Sequence, residues 1–102
     1  MIASDVKNPD VLAALKGVID PEIGVNIVDL GLVYGAAYGP HGVEVALTMT
    51  TPSCPLSEML VEEVREALKA NFAKAAAIHV ELVWDPRWTP DRMSEAARQL
   101  LG

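Results

Sequence analysis

The sequence predicts an α/β (α+β) fold, a two-layer sandwich in which helices cover a small mixed three-stranded sheet. Residues 43–50 alternate apolar and polar side chains, which is the pattern of a half-buried strand. Residues 56–68 instead space their apolar side chains as one face of a helix does. Proline and glycine separate such segments, which gives the order α-β-β-α-β-α. We expect the 102 residues to form a single domain, 1–102.

The first helix is predicted to begin at Asn8, a capping residue that is followed by proline. Gly17 and the pair Asp20-Pro21 end it. Its apolar face is expected to consist of Val11, Leu12, Leu15 and either Val18 or Ile19. Residues 20–31 then form a loop that is rich in carboxylates and also carries large apolar side chains. We expect this loop to pack against the domain.

Residues 32–38 and 43–50 are predicted to pair as an antiparallel hairpin around a glycine- and proline-containing turn. One face of the second strand is expected to lie in the core and the other to face solvent. A third strand is predicted over 77–84, parallel to the second because a helix joins them in a right-handed crossover. The last helix is predicted to be capped by Thr89-Pro90-Asp91.

The composition is that of a globular protein, with 51% hydrophobic and 22% charged residues. With 14 acidic residues against 8 basic ones, a general affinity for nucleic acid or for an anionic membrane surface is not expected. No apolar run reaches the roughly 20 residues that span a bilayer. A single cysteine and an N-terminus without signal-peptide features favour the cytoplasm. The partners are then proteins or small molecules.

The segment 48–55 joins the second strand to the second helix and holds Cys54. Pro55 suits the first helical position, which leaves Cys54 as the N-cap. There the helix dipole and unpaired backbone N–H groups favour a thiolate. A lone cysteine, however, is often a small buried hydrophobe. The local sequence therefore allows either a functional or a structural thiol.

Three loop carboxylates, Asp20, Glu22 and Asp29, also have two interpretations. Short acidic side chains often cap turns, and these three fit that role. Alternatively they reach the sheet edge at which Cys54 begins its helix, since the hairpin returns the chain to that edge. Thr50 lies on the strand face opposite the core residues and offers a hydroxyl beside them.

Other metal motifs do not fit. Gly31 occupies the position at which a calcium loop of the EF-hand type needs a bidentate glutamate. His41 and His79 are not at zinc-ligand spacing from Cys54. The glycines match neither the dinucleotide-binding pattern G-x-G-x-x-G nor the phosphate-binding P-loop pattern.

Three separated motifs resemble the small iron-sulfur assembly domain of PaaD-like and SufT-like proteins. They are Asp20-Pro21-Glu22, residues 26–34, and Thr48-x-Thr50-Thr51-Pro52-x-Cys54-Pro55, and residues 88–94 also fit. The resemblance spans nearly the whole chain. It implies an α/β fold and a role in iron-sulfur protein maturation, with client apo-proteins and other iron-sulfur assembly proteins as partners. The site that it implies consists of Asp20, Glu22, Asp29, Thr50 and Cys54.

Cys54 could then bind iron or a cluster transiently, because one soft ligand among several hard ones suits transient binding. Since a cluster normally takes about four ligands, we expect none to be stably bound. One alternative is a small thiol-dependent enzyme with Cys54 as nucleophile, although neighbouring carboxylates would raise the pKa of that thiol. Another is a non-catalytic protein-interaction module. The open edges of a three-stranded sheet also favour a homodimer.

Overall fold

The computed structural model describes residues 7–50 and 54–101, except for the side chains of residues 54 and 55. The predicted order α-β-β-α-β-α is confirmed in these residues. The elements are α1 (Pro9–Leu15), β1 (Val33–Gly39), β2 (Gly42–Leu47), α2 (Cys54–Asn71), β3 (Ile78–Leu82), a 3₁₀ turn (Pro90–Arg92) and α3 (Glu95–Leu101). Asn8 caps α1 as predicted, since its Oδ1 accepts the N–H groups of Asp10 and Val11 at 2.9 and 3.2 Å. None of the described helices is long and apolar enough to cross a membrane.

The sheet has the strand order β1-β2-β3, with β2 in the centre. β1 and β2 are antiparallel and β2 and β3 are parallel, so the predicted mixed sheet is confirmed. Val45 of β2 faces Ala36 on one side and Val80 on the other. The helix α2 makes the crossover between the two parallel strands.

The core lies between the sheet and the two helices α1 and α2. α1 contacts β1, α2 contacts β3, and the two helices contact each other. Its fully buried side chains come from both layers and include Val11, Leu15, Val43, Val45, Leu47, Leu60, Val64 and Leu68. The carboxylate-rich loop adds Ile27 and Leu30, and Leu32 follows directly after it; all three are fully buried. The burial of these side chains confirms that the loop is packed against the domain. Each of them contributes roughly 1.5–3 kcal/mol to stability.

The prediction that the second face of β2 is open to solvent is wrong. Ala46 and Thr48, which directly follows the strand, are 3% and 1% exposed. The chain that leaves β3 runs toward β1 on the far side of β2. Val83 donates its N–H to the Leu47 carbonyl at 2.8 Å, and Pro86 then accepts a hydrogen bond from a side chain of β1. Because β2 lies between β3 and β1, the chain has to cross β2 to reach that bond.

The start of the last helix differs from the prediction. Thr89 makes no side-chain capping bond, and the turn that follows it is a short 3₁₀ helix. After an extended Met93, α3 begins at Glu95 with the Ser94 hydroxyl accepting the N–H of Ala97 at 3.2 Å. Ser94 also donates its own backbone N–H to the Asp29 carbonyl at 2.7 Å. This bond to the loop holds the chain extended at the point where the sequence alone favours a helix.

Candidate functional site

The end of the loop and the segment that leads to α2 meet at one edge of the sheet. The backbone N–H of Thr48 donates to the Leu32 carbonyl at 2.8 Å. Two residues later Thr50 lies half-buried in a bend, and α2 begins at Cys54. The side chain of Cys54 and residues 51–53 lie outside the described part of the chain. The predicted contact of the thiol with the loop acids therefore lies outside it too.

Asp20 holds the first turn of the loop. Its side chain is 1% exposed, and its Oδ1 accepts the backbone N–H groups of Glu22 and Ile23 at 2.8 and 3.2 Å. Its carbonyl accepts the N–H of Gly24 at 2.8 Å, which closes the turn. The turn-capping interpretation of Asp20 is thus confirmed, and Glu22 lies exposed on the outside of the same turn.

Asp29 lies further along the loop in a network of hydrogen bonds. The side-chain amide of Asn26 donates to Asp29 Oδ2 at 2.6 Å, and the amide oxygen accepts the Asp29 N–H at 2.9 Å. Hydrogen bonds from the side chains of Asn26 and Ser94 lower the pKa of Asp29. The charge of Lys16 lowers this pKa further, while partial desolvation opposes the shift. Asp29 is therefore a firmly ionised carboxylate near neutral pH.

Residues 88–94 form a strap that lies over the loop next to Asp29. The indole N–H of Trp88 donates to the Leu30 carbonyl at 2.7 Å, and the Ser94 N–H donates to the Asp29 carbonyl at the same distance. Both loop carbonyls are thus satisfied by the strap, as buried backbone groups need to be. The strap fixes the backbone that carries Asp29.

Tyr34 and Arg92 connect the strap to β1. The Tyr34 hydroxyl donates to the Pro86 carbonyl at 2.7 Å, and Tyr34 as a whole residue is 4% exposed. Arg92 Cζ lies over that ring, 4.6 Å from the centroid, in a cation–π contact. Burial raises the pKa of Tyr34, and the opposing effect of the Arg92 charge is smaller. Tyr34 is therefore a neutral hydrogen-bond donor at physiological pH.

Sequence reasoning missed four residues around the loop: Asn26, Tyr34, Arg92 and Ser94. Asn26 stands three positions before Asp29, and that spacing is a readable signal for a side chain that caps a turn. Nothing in the local sequence links Tyr34 to Arg92 or Asp29 to Ser94. Among the residues whose side chains are described, no three His, Cys, Asp or Glu side chains gather into a group that could hold a metal ion.

Residues 8–80 match a family model that is described as iron-sulfur cluster assembly protein. The chain belongs to this family. It is 42% identical over 94 residues to the Fe-S protein maturation auxiliary factor YitW of Bacillus subtilis (strain 168), with 91% of both chains covered. It is 41% identical over 86 residues to the Fe-S protein maturation auxiliary factor SufT of Staphylococcus aureus (strain USA300), covering 83% of this chain and 97% of that protein.

Among solved structures, a domain of unknown function from Bacillus anthracis is similar, with a TM-score of 0.85 and 40% identity. The match covers 90% of this chain and 88% of that one. The resemblance to SufT-like iron-sulfur assembly domains is thereby confirmed. The matched segment of the iron-sulfur assembly family, 8–80, contains the loop and the start of α2 but not the strap.

Proposed function

We propose that the protein is a maturation factor that acts on client apo-proteins through a site centred on Cys54. The relatives named as Fe-S maturation auxiliary factors support the general role. The observation that carries the site is the bond between Leu32 and Thr48, because it joins the loop of Asp29 to the segment that leads to Cys54. We expect the protein to act in the cytoplasm together with other iron-sulfur assembly proteins.

In this proposal the Cys54 thiolate is the soft ligand and Asp29 is the principal hard one. The low pKa of Asp29 supports its part, since an ionised carboxylate binds iron without first losing a proton. Thr50 contributes its hydroxyl from the same edge. Asp20 acts chiefly through the turn that it holds, and the exposed Glu22 of that turn extends the carboxylate surface.

Iron or a cluster is the cargo of such a factor. A cluster normally takes about four protein ligands, mostly thiolates, and each chain has one cysteine. We therefore expect protein purified without oxygen to lack a persistent visible chromophore with stoichiometric iron and sulfide. A stable chromophore of that kind would contradict transient binding.

The test is Cys54→Ser in a strain without its chromosomal copy of the gene. We expect the iron-sulfur enzymes of that strain to remain inactive, while the free energy of unfolding of the purified variant changes by less than about 1 kcal/mol. Glu58→Gln, an exposed substitution one turn further along α2, is the matched control and is expected to support normal maturation.

Normal maturation by Cys54→Ser would refute the Cys54-centred site, and a large loss of stability would make Cys54 a structural residue. A titration of the Cys54 thiol with an alkylating reagent addresses the enzyme alternative. A strongly acidic thiol would favour a thiol-dependent enzyme. The proposed site predicts an ordinary or raised thiol pKa instead, because nearby carboxylates disfavour the thiolate.

A further inference from the structure

A cleft of about 230 Å³ opens between α1, the start of β1 and the strap. Apolar side chains such as Leu12 and Val33 line it, and Tyr34 lies among them. Lys7 and Arg92 also line the cleft, and both are exposed. Within residues 7–50 and 54–101, no acidic residue lines it. This basic cleft is unusual in a chain with a net charge of −6.

Arg92 is held in place at both its backbone and its side chain. Its backbone lies against Gly31, and its guanidinium lies over the buried ring of Tyr34. Arg65 and Arg98 donate hydrogen bonds to backbone carbonyls, at 3.5 and 2.8 Å. The Arg92 guanidinium makes no hydrogen bond or ion pair with any described residue. A cation–π contact uses the positive charge of a guanidinium and does not need its N–H groups as hydrogen-bond donors to an oxygen.

A guanidinium that lies over a ring, with N–H donors that bond to no described residue, can bind a carboxylate through two parallel hydrogen bonds. The ammonium of Lys7 at the same cleft adds a second positive charge. Because Leu12, Val28 and Val33 also line the cleft, a carboxylate attached to an apolar body covers more of it than a small inorganic ion does. The volume is below the roughly 300–1,000 Å³ of a typical small-molecule site. It therefore suits one or two side chains of a peptide.

We propose that the basic cleft is the docking site for an acidic segment of a client protein. A carboxylate of that segment pairs with Arg92 and Lys7, and a neighbouring apolar side chain packs against Leu12 and Val33. The choice of a client as the occupant rests on the proposed maturation function. Charge complementarity supports it, since the cleft is a basic surface on an otherwise acidic protein.

The probes are two end-blocked peptides, acetyl-Leu-Asp-Leu-amide and its uncharged counterpart acetyl-Leu-Asn-Leu-amide. In an NMR titration, we expect the acidic peptide to shift the backbone signals of Gly31 and Tyr34 and to bind about tenfold more tightly than the uncharged one. Arg92→Gln should weaken binding of the acidic peptide by about tenfold. Arg87→Gln removes the same charge from an exposed position before the strap, and should leave the affinity unchanged.

Equal binding of the two peptides, or full affinity in Arg92→Gln, would overturn the proposal. So would shifts of the same size with inorganic phosphate, which would make the cleft a general anion site. Shifts that depend on protein concentration without peptide would make a second copy of the chain the occupant.

The experiments distinguish refutation of the proposed maturation function from refutation of peptide binding at the cleft. Cys54→Ser should bind the acidic peptide as the unmodified protein does, since the substitution leaves Arg92, Lys7, Leu12 and Val33 unchanged. If maturation survives that substitution while the peptide still binds, the cleft remains a site for acidic peptides. If the peptide fails to bind while Cys54→Ser abolishes maturation, only the docking proposal is refuted.

Discussion

Gly31 lies against Arg92 so closely that a side-chain carbon on residue 31 would overlap the Arg92 carbonyl group. Gly31 also has a φ of +78°, a conformation that other residues rarely adopt. Two independent requirements therefore select glycine at this position. The loop that carries Asp29 and the strap that covers it are fitted to each other at the level of the backbone.

Gly31→Ala should lower the free energy of unfolding by about 3 kcal/mol or more, because it adds steric overlap to an unfavourable φ. Gly24→Ala is the matched control. Its φ is +81°, but nothing lies within 4 Å of the added carbon, so we expect a loss of about 1 kcal/mol. Urea denaturation of both variants measures the difference. Equal losses of unfolding free energy would show that the strap moves away from residue 31 without destabilising the protein.

Trp88→Phe should destabilise the protein by about 1–3 kcal/mol, because it leaves the Leu30 carbonyl without its indole donor. Trp84→Phe serves as the comparison, since Trp84 is 48% exposed and should change stability by less than about 0.5 kcal/mol. Thermal unfolding of the two variants in the same buffer gives the measurement. A larger effect at Trp84 would contradict this assignment.

The pKa of Asp29 in the folded protein lies below the ordinary value of 3.8, because Asn26 and Ser94 donate hydrogen bonds to the carboxylate. The unfolded state therefore binds this proton more readily than the folded state does. The stabilisation is fully present above about pH 4 and is lost as the pH falls through the lowered pKa.

Asn26→Ala should raise the midpoint of the Asp29 carboxyl signal in an NMR titration. It should also make the free energy of unfolding fall less steeply below about pH 4. Asn71→Ala is the control, because the Asn71 amide donates to the Ala67 carbonyl within α2 and is not among the groups that shift the pKa of Asp29. An unchanged midpoint in Asn26→Ala would assign the low pKa to other groups.

Self-association is the remaining prediction from the sequence. Leu100 and Leu101 of α3 are 76% and 47% exposed, and β3 lies at an edge of the sheet. We expect light scattering at high concentration to show about twice the 10.9 kDa monomer mass, and Leu100→Glu to reduce it. Ile19→Glu, at a residue that is 46% exposed elsewhere, is the control. A monomer at all concentrations would exclude the homodimer.

Patterns between near neighbours in the chain determined most of the fold. The existence of β2 and the capping of α1 by Asn8 each depend on residues a few positions apart, so the sequence shows them directly, although the alternation did not predict the burial of both faces of β2. The hydrogen-bond partners of the Asp20 carboxylate are also the next few residues, so the sequence offers turn capping as one of its two interpretations of Asp20. The spaced motifs also sufficed to indicate the iron-sulfur assembly family.

The tertiary structure alone decided how distant segments approach one another. The sequence around Thr89-Pro90 favours a helix start, yet a bond from Ser94 to the loop delays α3 to Glu95. The low pKa of Asp29 likewise depends on Ser94, and the orientation of Arg92 depends on Tyr34. Local propensities differ by about 1 kcal/mol or less per residue, so a few hydrogen bonds and close contacts between remote segments override them. Such contacts exist only after the chain has folded, and no spacing along the sequence records them.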